Sequence, residues 1–294
     1  MDALELVRLT PLMQLSSGHP EIGIALIDGP VSINRPDLWS TNVEHVGSNL
    51  PATCTQPSST ACIHGTFVAS ILAARRGSQA PAICPGCTLL IRAVFSENSQ
   101  SSGEIPSAMP AELAQAILDG VHAGARIINL SLSVVAPSTR DEHRLEAALS
   151  YAAARGVIVV AAAGNQGEVG GSPFTRHPWP IPVAGSDGQG RPTASSNLGR
   201  SIGQRGLRAP SESIPSLGPN SQIETFSGTS AATPFVSGAI ALLWSEFPRA
   251  SASAVKLAVT GTDRSARRVV VPPLLNAWAA YQALSAVSSG REPS

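Results

Sequence analysis

Four residues, widely separated along the chain, carry the side chains needed to cut an amide bond. Asp28 closes an apolar run in IALIDGP, His64 stands in HGTFVAS, Asn165 in AAAGNQG and Ser230 in FSGTSAATPFVSG. A serine hydroxyl is a weak nucleophile near neutral pH and needs a base within hydrogen-bond reach; imidazole suits because its pKa lies near 7. The imidazole needs an acceptor on its other nitrogen to fix the tautomer and stabilise the imidazolium, and a buried carboxylate supplies it. An asparagine amide, together with the Ser230 backbone N–H at a helix start, can donate to the oxyanion of a tetrahedral intermediate. Each residue alone has a plainer explanation: a turn for Asp28 or Asn165, a helix cap for His64 or Ser230. Independent caps and turns have no reason to fall in this order and in these contexts, so the joint catalytic reading is preferred.

Such residues must be held together by a scaffold, and the apolar pattern supplies one. Short apolar runs predict strands at Ile22–Ile27, Thr88–Phe95, Arg126–Ser133, Gly156–Gly164 and Ile181–Gly185. Between and after them, 3.6-residue periodicity predicts helices beginning near His64 and over Ala111–Ala123, Asp141–Arg155, Thr229–Glu246, Ser251–Thr260 and Pro273–Leu284. Pro234 is tolerated early in its helix. Residues 40–61 and the polar stretch Ser96–Pro110 read as loops. Strands alternating with helices mean βαβ units, hence an α/β fold with a parallel sheet and helices on both faces. Sites in such folds form beyond the carboxyl ends of the strands, where the four residues fall.

Composition narrows the function classes. The chain of 294 residues suits one large domain, and 43% hydrophobic against 14% charged residues supports a sizeable core. The formal net charge of zero gives no electrostatic case for nucleic acid or an anionic membrane. No apolar run reaches the roughly 20 residues a bilayer span needs. The start, MDALELVRLTPLMQ, lacks the basic, apolar and small-residue regions of a secretory signal, so a cytoplasmic protein is expected. Asp37 and Asp187 lie in no dense run of oxygen ligands, so neither a metal nor another cofactor is expected. Cys54/Cys62 and Cys84/Cys87 admit three readings: two local disulfides, a four-thiolate metal site, or four reduced thiols. Of the other histidines, His177 is expected in a loop near the cleft, while Trp179, Trp244 and Trp278 read as packing residues.

IALIDGP, HGTFVAS, AAAGNQG and GTSAATPFVSGAIALL together resemble the subtilase family of serine peptidases, in that family's chain order Asp, His, Asn, Ser. The resemblance runs from about Ile22 to Leu284. It implies a subtilisin-like three-layer αβα fold and a catalytic set of Asp28, His64, Asn165 and Ser230. It also implies that Ser131-Leu132-Ser133 and Ala162-Ala163-Gly164 line the substrate cleft and first specificity pocket. The domain division it suggests is an N-terminal extension at 1–21, a peptidase domain at 22–287 and a tail at 288–294.

The sequence departs from the usual pattern in three places. Gly29 follows Asp28 where many subtilases have Thr or Ser, Ala231 replaces the usual Met, and Thr233-Pro234-Phe235 replaces Ser-Pro-His. CIHGTFVASILAARRGS, CPGCTLLIRAVF, TRHPWPIPV and LLWSEFP look most like the proteases of cyanobactin-type peptide maturation, the PatA/PatG group. The expected function is therefore hydrolysis of a restricted peptide substrate, a ribosomal precursor. A transpeptidase or macrocyclase on the same fold is the alternative, disfavoured because Ser96–Pro110 is too short and hydrophilic for a helical cap. The intact catalytic set argues against an inactive peptide-binding scaffold.

Overall fold

The structure is a computed structural model describing residues 2–34, 37–38, 42–47, 49–97, 107–134, 139–220, 222–261 and 269–290. In chain order the elements are α1 (Ala3–Leu6), α2 (Thr10–Leu15), β1 (Gly23–Asp28), β2 (Val43–His45), α3 (Thr60–Ala73), β3 (Thr88–Ala93), β4 (Ser107–Ala108), α4 (Pro110–His122), β5 (Ile127–Leu130), β6 (Ser133–Val134) and α5 (Thr139–Ala154). They continue with β7 (Ile158–Ala162), α6 (Pro173–Arg176), β8 (Ile181–Ser186), α7 (Arg200–Arg205), β9 (Leu207–Pro210), β10 (Ile214–Leu217), β11 (Ile223–Phe226), α8 (Thr229–Glu246), α9 (Ala252–Thr260) and α10 (Ala277–Ser288).

Seven strands form one parallel sheet in the order β2-β3-β1-β5-β7-β8-β9. The central strands read as unbroken apolar runs because both faces of the sheet are covered. Alternate side chains of β1 serve different cores. Ile24 and Leu26 pack with Phe67, Ile71 and Phe235 on the α3/α8 side, while Ala25 and Ile27 pack with Leu113, Ile117 and Leu149 on the α4/α5 side. Strand β7 divides likewise, Ile158 and Val160 to the first side, Val159 and Ala161 to the second. The expected three-layer αβα architecture is thus present. The segment before β1 joins the first core, with Val7, Leu9 and Leu12 fully buried and α2 packed against α8 and α10.

Several boundaries differ from the sequence reading. The helix expected to open near His64 begins at Thr60, because the Ser59 side chain caps it by accepting from Cys62 N–H at 3.1 Å; His64 therefore lies in its second turn. The expected loop at 40–61 contains the edge strand β2 and that first helical turn. The last helix starts at Ala277 rather than Pro273, capped by the Asn276 side chain, which accepts from Ala279 N–H at 3.0 Å. Cys54 and Cys62 are disulfide-bonded, whereas Cys84 and Cys87 are free, buried thiols, so none of the three uniform readings of the cysteines describes the molecule.

Candidate active site

Asp28 is the last residue of β1 and is fully buried. Its Oδ1 accepts from the Gly29 N–H at 2.7 Å and from His64 Nδ1–H at 2.7 Å. Burial pushes the His64 pKa down, but the charge of Asp28 and its hydrogen bond raise it further, so the net direction is upward. His64 Nε2 is buried and has no hydrogen-bond partner among the described residues. Phe226 presents an edge to the imidazole at 6.2 Å, and Phe67 in turn packs on Phe226 at 4.7 Å.

Helix α3 reaches Asp28 only because glycine stands on both sides of the contact. A Cβ on Gly65 would meet the carbonyl oxygen of Gly29 at 2.5 Å, and one on Gly29 would meet that of Ala61 at 2.0 Å. The departure from Thr or Ser at position 29 thus has a steric reason: the first turn of α3 lies against it. Asp28 Oδ2 is buried without a partner among the described residues.

Ser230 is the second residue of α8 and is almost wholly buried. In that first turn, Thr229 N–H goes to Asn165 Oδ1, and the amides of Ala231 and Ala232 go to the Gly228 carbonyl. Among the described residues, the Ser230 N–H is the amide of this turn left without an acceptor, as the positive end of a helix provides. Asn165 follows β7 by three residues, and its Oδ1 accepts twice from Thr229, from N–H at 2.8 Å and from Oγ1 at 3.0 Å. Thr229 Oγ1 also accepts from the Gly164 N–H at 3.2 Å. With the carbonyl end of Asn165 so fixed, its Nδ2 is left to donate, having no partner among the described residues. Gly228 holds the left-handed φ of 130°, and a Cβ there would press on Asn165 at 3.0 Å.

Of the residues expected to line the first specificity pocket, Leu132, Ala162, Ala163 and Gly164 share one cavity of about 450 Å³. Ser131 does not line it. Its hydroxyl is buried and accepts from Asn129 Nδ2 at 2.9 Å, and Asn129 is held through Ser237 of α8 at 2.8 Å. Ser133 lies in β6, paired with Ser107, and its side chain is outside the described residues. His177 is half-buried, accepting from Trp179 N–H at 3.2 Å with its Nε2 3.1 Å from Ser150 Oγ, and is not part of the cavity wall. Sequence reasoning missed Thr229, Asn197 and Glu142. Thr229 adjoins Ser230 in the same motif and was there to be read. Asn197, whose Oδ1 accepts from the N–H groups of Gln166 and Glu168 at 3.0 Å each, gave no signal.

A larger cavity of about 640 Å³ lies elsewhere, between α1 and the 210–215 segment, and contains none of these four residues. The smaller cavity is lined by none of Asp28, His64, Asn165 and Ser230 either, but its wall includes Gly164 and Gln166, the two neighbours of Asn165 in the chain.

The model of the subtilase family matches residues 20–272. The chain belongs to the subtilase family of serine endopeptidases. This subtilase is 30% identical to Mycosin-3 of Mycobacterium tuberculosis over 90% of its own length and 67% of that protein's. It is 30% identical to subtilisin Savinase of Lederbergia lenta, covering 88% of the chain and 90% of the relative. It spans only a little over half, 56%, of several other curated subtilisins, among them subtilisin E of Bacillus subtilis. Among solved structures, the protease domain of PatA is similar with a TM-score of 0.81 at 32% identity, over 94% of this chain and 98% of that one. The prenylagaramide maturation protease PagA follows with a TM-score of 0.78 at 29% identity, over 94% and 98%. Among the described residues, no helix is long and apolar enough to cross a membrane.

Proposed function

We propose that this subtilase hydrolyses a peptide bond in a restricted substrate, a ribosomal precursor peptide, through an acyl-enzyme on Ser230. The observation that carries the reading is the buried Asp28–His64 hydrogen bond, which leaves His64 Nε2 free to serve the hydroxyl at the start of α8. His64 Nε2 takes the Ser230 Oγ proton as the oxygen attacks the carbonyl carbon. Asn165 Nδ2 and the Ser230 N–H hold the oxyanion. The imidazolium returns its proton to the leaving amine, and water then attacks the ester with the same base. The pocket bounded by Leu132, Ala162, Ala163 and Gly164 receives the side chain on the acyl side of the scissile bond.

The restricted substrate is supported by similarity over nearly the whole chain to structures described as the patellamide maturation protease PatA and the prenylagaramide maturation protease PagA. We take the peptidase unit as residues 22–287, with 1–21 as an extension and 288–294 as a tail. A cytoplasmic location belongs to the same proposal; the Cys54–Cys62 bridge weighs against it, since reducing compartments keep thiols free. Of Ser96–Pro110, the stretch expected to be too short and hydrophilic for a helical cap, residues 98–106 lie outside the described residues.

Digestion of a peptide panel in heavy-oxygen water tests the reaction. Linear products carrying the solvent oxygen are expected, with little cleavage of folded, unrelated proteins. Dehydrated, cyclic masses without that oxygen would replace hydrolysis by macrocyclisation.

A further inference from the structure

The pocket beside Gly164 carries charges that the catalytic residues do not use, and their bookkeeping is uneven. Among the described residues, Glu142, from the first turn of α5, and Glu168, from the loop after β7, both line it, against one cation, Arg176. Arg176 is already committed. Its guanidinium donates to Glu142 Oε1 at 3.0 Å and to the Gly171 carbonyl at 3.2 Å. The Glu168 carboxylate has no such partner among the described residues. Its backbone, by contrast, is fixed: the N–H goes to Asn197 Oδ1 at 3.0 Å and the carbonyl accepts from Leu198 N–H at 3.0 Å. Buried Phe174 and Pro173 add an apolar surface to the same cavity. Such a lining suits a side chain with a long apolar stem and a cationic head, the stem lying on the ring and the head meeting the carboxylates.

We propose that Glu168, assisted by Glu142, makes this a pocket for lysine or arginine on the acyl side of the scissile bond. The inference rests on the peptidase reading above and adds the class of residue selected. An acidic side chain is disfavoured for the same reason: among the described residues the guanidinium lining the wall is that of Arg176, which Glu142 neutralises, and Glu168 would repel an acid. Glu142 has a second role, because it keeps Arg176 from attracting the wrong charge.

Paired peptides that differ only by lysine or norleucine at that position isolate the charge at nearly constant volume. At low salt, kcat/KM for lysine should exceed that for norleucine by about fivefold, the upper range for a partly solvated ion pair, and the ratio should shrink as salt rises. Glu168→Gln should bring the ratio towards one. Glu142→Gln should lower it as well and admit glutamate at that position. The same peptides are titrated against the Ser230→Ala protein, where the ratio of Kd values should follow the same order without turnover. A fluorophosphonate probe on the parent protein separates the two levels of the argument. Labelling together with a lysine-to-norleucine ratio at or below one, or a ratio unmoved by Glu168→Gln, overturns this inference alone. Absence of labelling, with neither peptide bound, overturns the peptidase reading and this inference with it.

Discussion

Replacing Thr229 by valine should slow the enzyme without removing any group that touches the substrate. The substitution preserves shape and deletes one hydroxyl, which joins Asn165 Oδ1 at 3.0 Å to Gly164 N–H at 3.2 Å. Removing Asn165 itself, by Asn165→Ala, should cost about 10²–10³ in kcat, or about 3–4 kcal/mol of transition-state stabilisation, as for other preorganised oxyanion donors. Thr229→Val leaves the Thr229 N–H in place, so Asn165 keeps one of two anchors. The loss should then be that of one net hydrogen bond in positioning, about 1–1.5 kcal/mol, or roughly tenfold in kcat with KM little changed. In an Asn165→Ala background, the valine substitution has no amide left to misplace, and its effect on kcat should nearly vanish. The four proteins form a double-mutant cycle with an expected coupling of about 1 kcal/mol. Thermal melts run in parallel, because the Gly164 N–H also loses its acceptor and should lower stability whatever Asn165 does. Additive effects on kcat, or a change confined to KM, would show that Thr229 does not act through Asn165.

Ser230→Ala and His64→Ala should each abolish turnover while leaving the fold intact, and about equally, since the set works as a unit; retention of activity within about tenfold of the parent by either protein would refute the assignment. The raised His64 pKa places the acid limb of the kcat/KM profile above the ordinary imidazole value, with activity rising as pH increases through it. Stability runs the other way. A group whose folded pKa lies above its unfolded one contributes fully below the unfolded pKa, and that contribution is lost as pH rises through the folded pKa, so His64→Gln should flatten the stability profile in that window; an acid limb below the ordinary value would contradict the geometry. Thiol counting on the unfolded, oxidised protein should find two free thiols, and reduction of Cys54–Cys62 should cost at most about 3 kcal/mol because the loop it closes is short; four free thiols would rule the bridge out.

The parts of the fold legible in the sequence are those where burial is symmetrical. Strands β1, β5 and β7 are covered on both faces and stand out as apolar runs, and α8 begins and ends where periodicity placed it, at Thr229 and Glu246. Strand β2, with the sequence VEH at the sheet edge, has no buried face to announce it. The β10/β11 pair contains Pro215 and an outward-facing Ile223, which break the expected alternation. The start of α3 was concealed by Pro57, Ser58 and Ser59, residues that favour both loops and helix caps. Asp28, His64, Asn165 and Ser230 could be proposed because their chemistry restricts which residue types serve. Asn197 and Glu142 could not, because their part in the site comes from distant segments that only the tertiary packing brings to the pocket. The cysteines were ambiguous because spacing alone does not report whether two Cα atoms come within bridging range.

The seam between the two ends of the chain bears on when activity begins. Val7 O accepts from the Ala277 N–H at 3.0 Å, and Leu9 and Leu12 are buried beneath helices from the last quarter of the sequence. A ribosome thus releases Asp28 and His64 long before the nucleophile, and the nucleophile before the helix that seals the first residues in place. Through most of its synthesis, the emerging polypeptide holds a base with nothing to deprotonate and an exposed apolar leader with no partner. Nascent chains arrested before Ala277 should fail to react with a fluorophosphonate probe, and reactivity should appear once α10 has emerged.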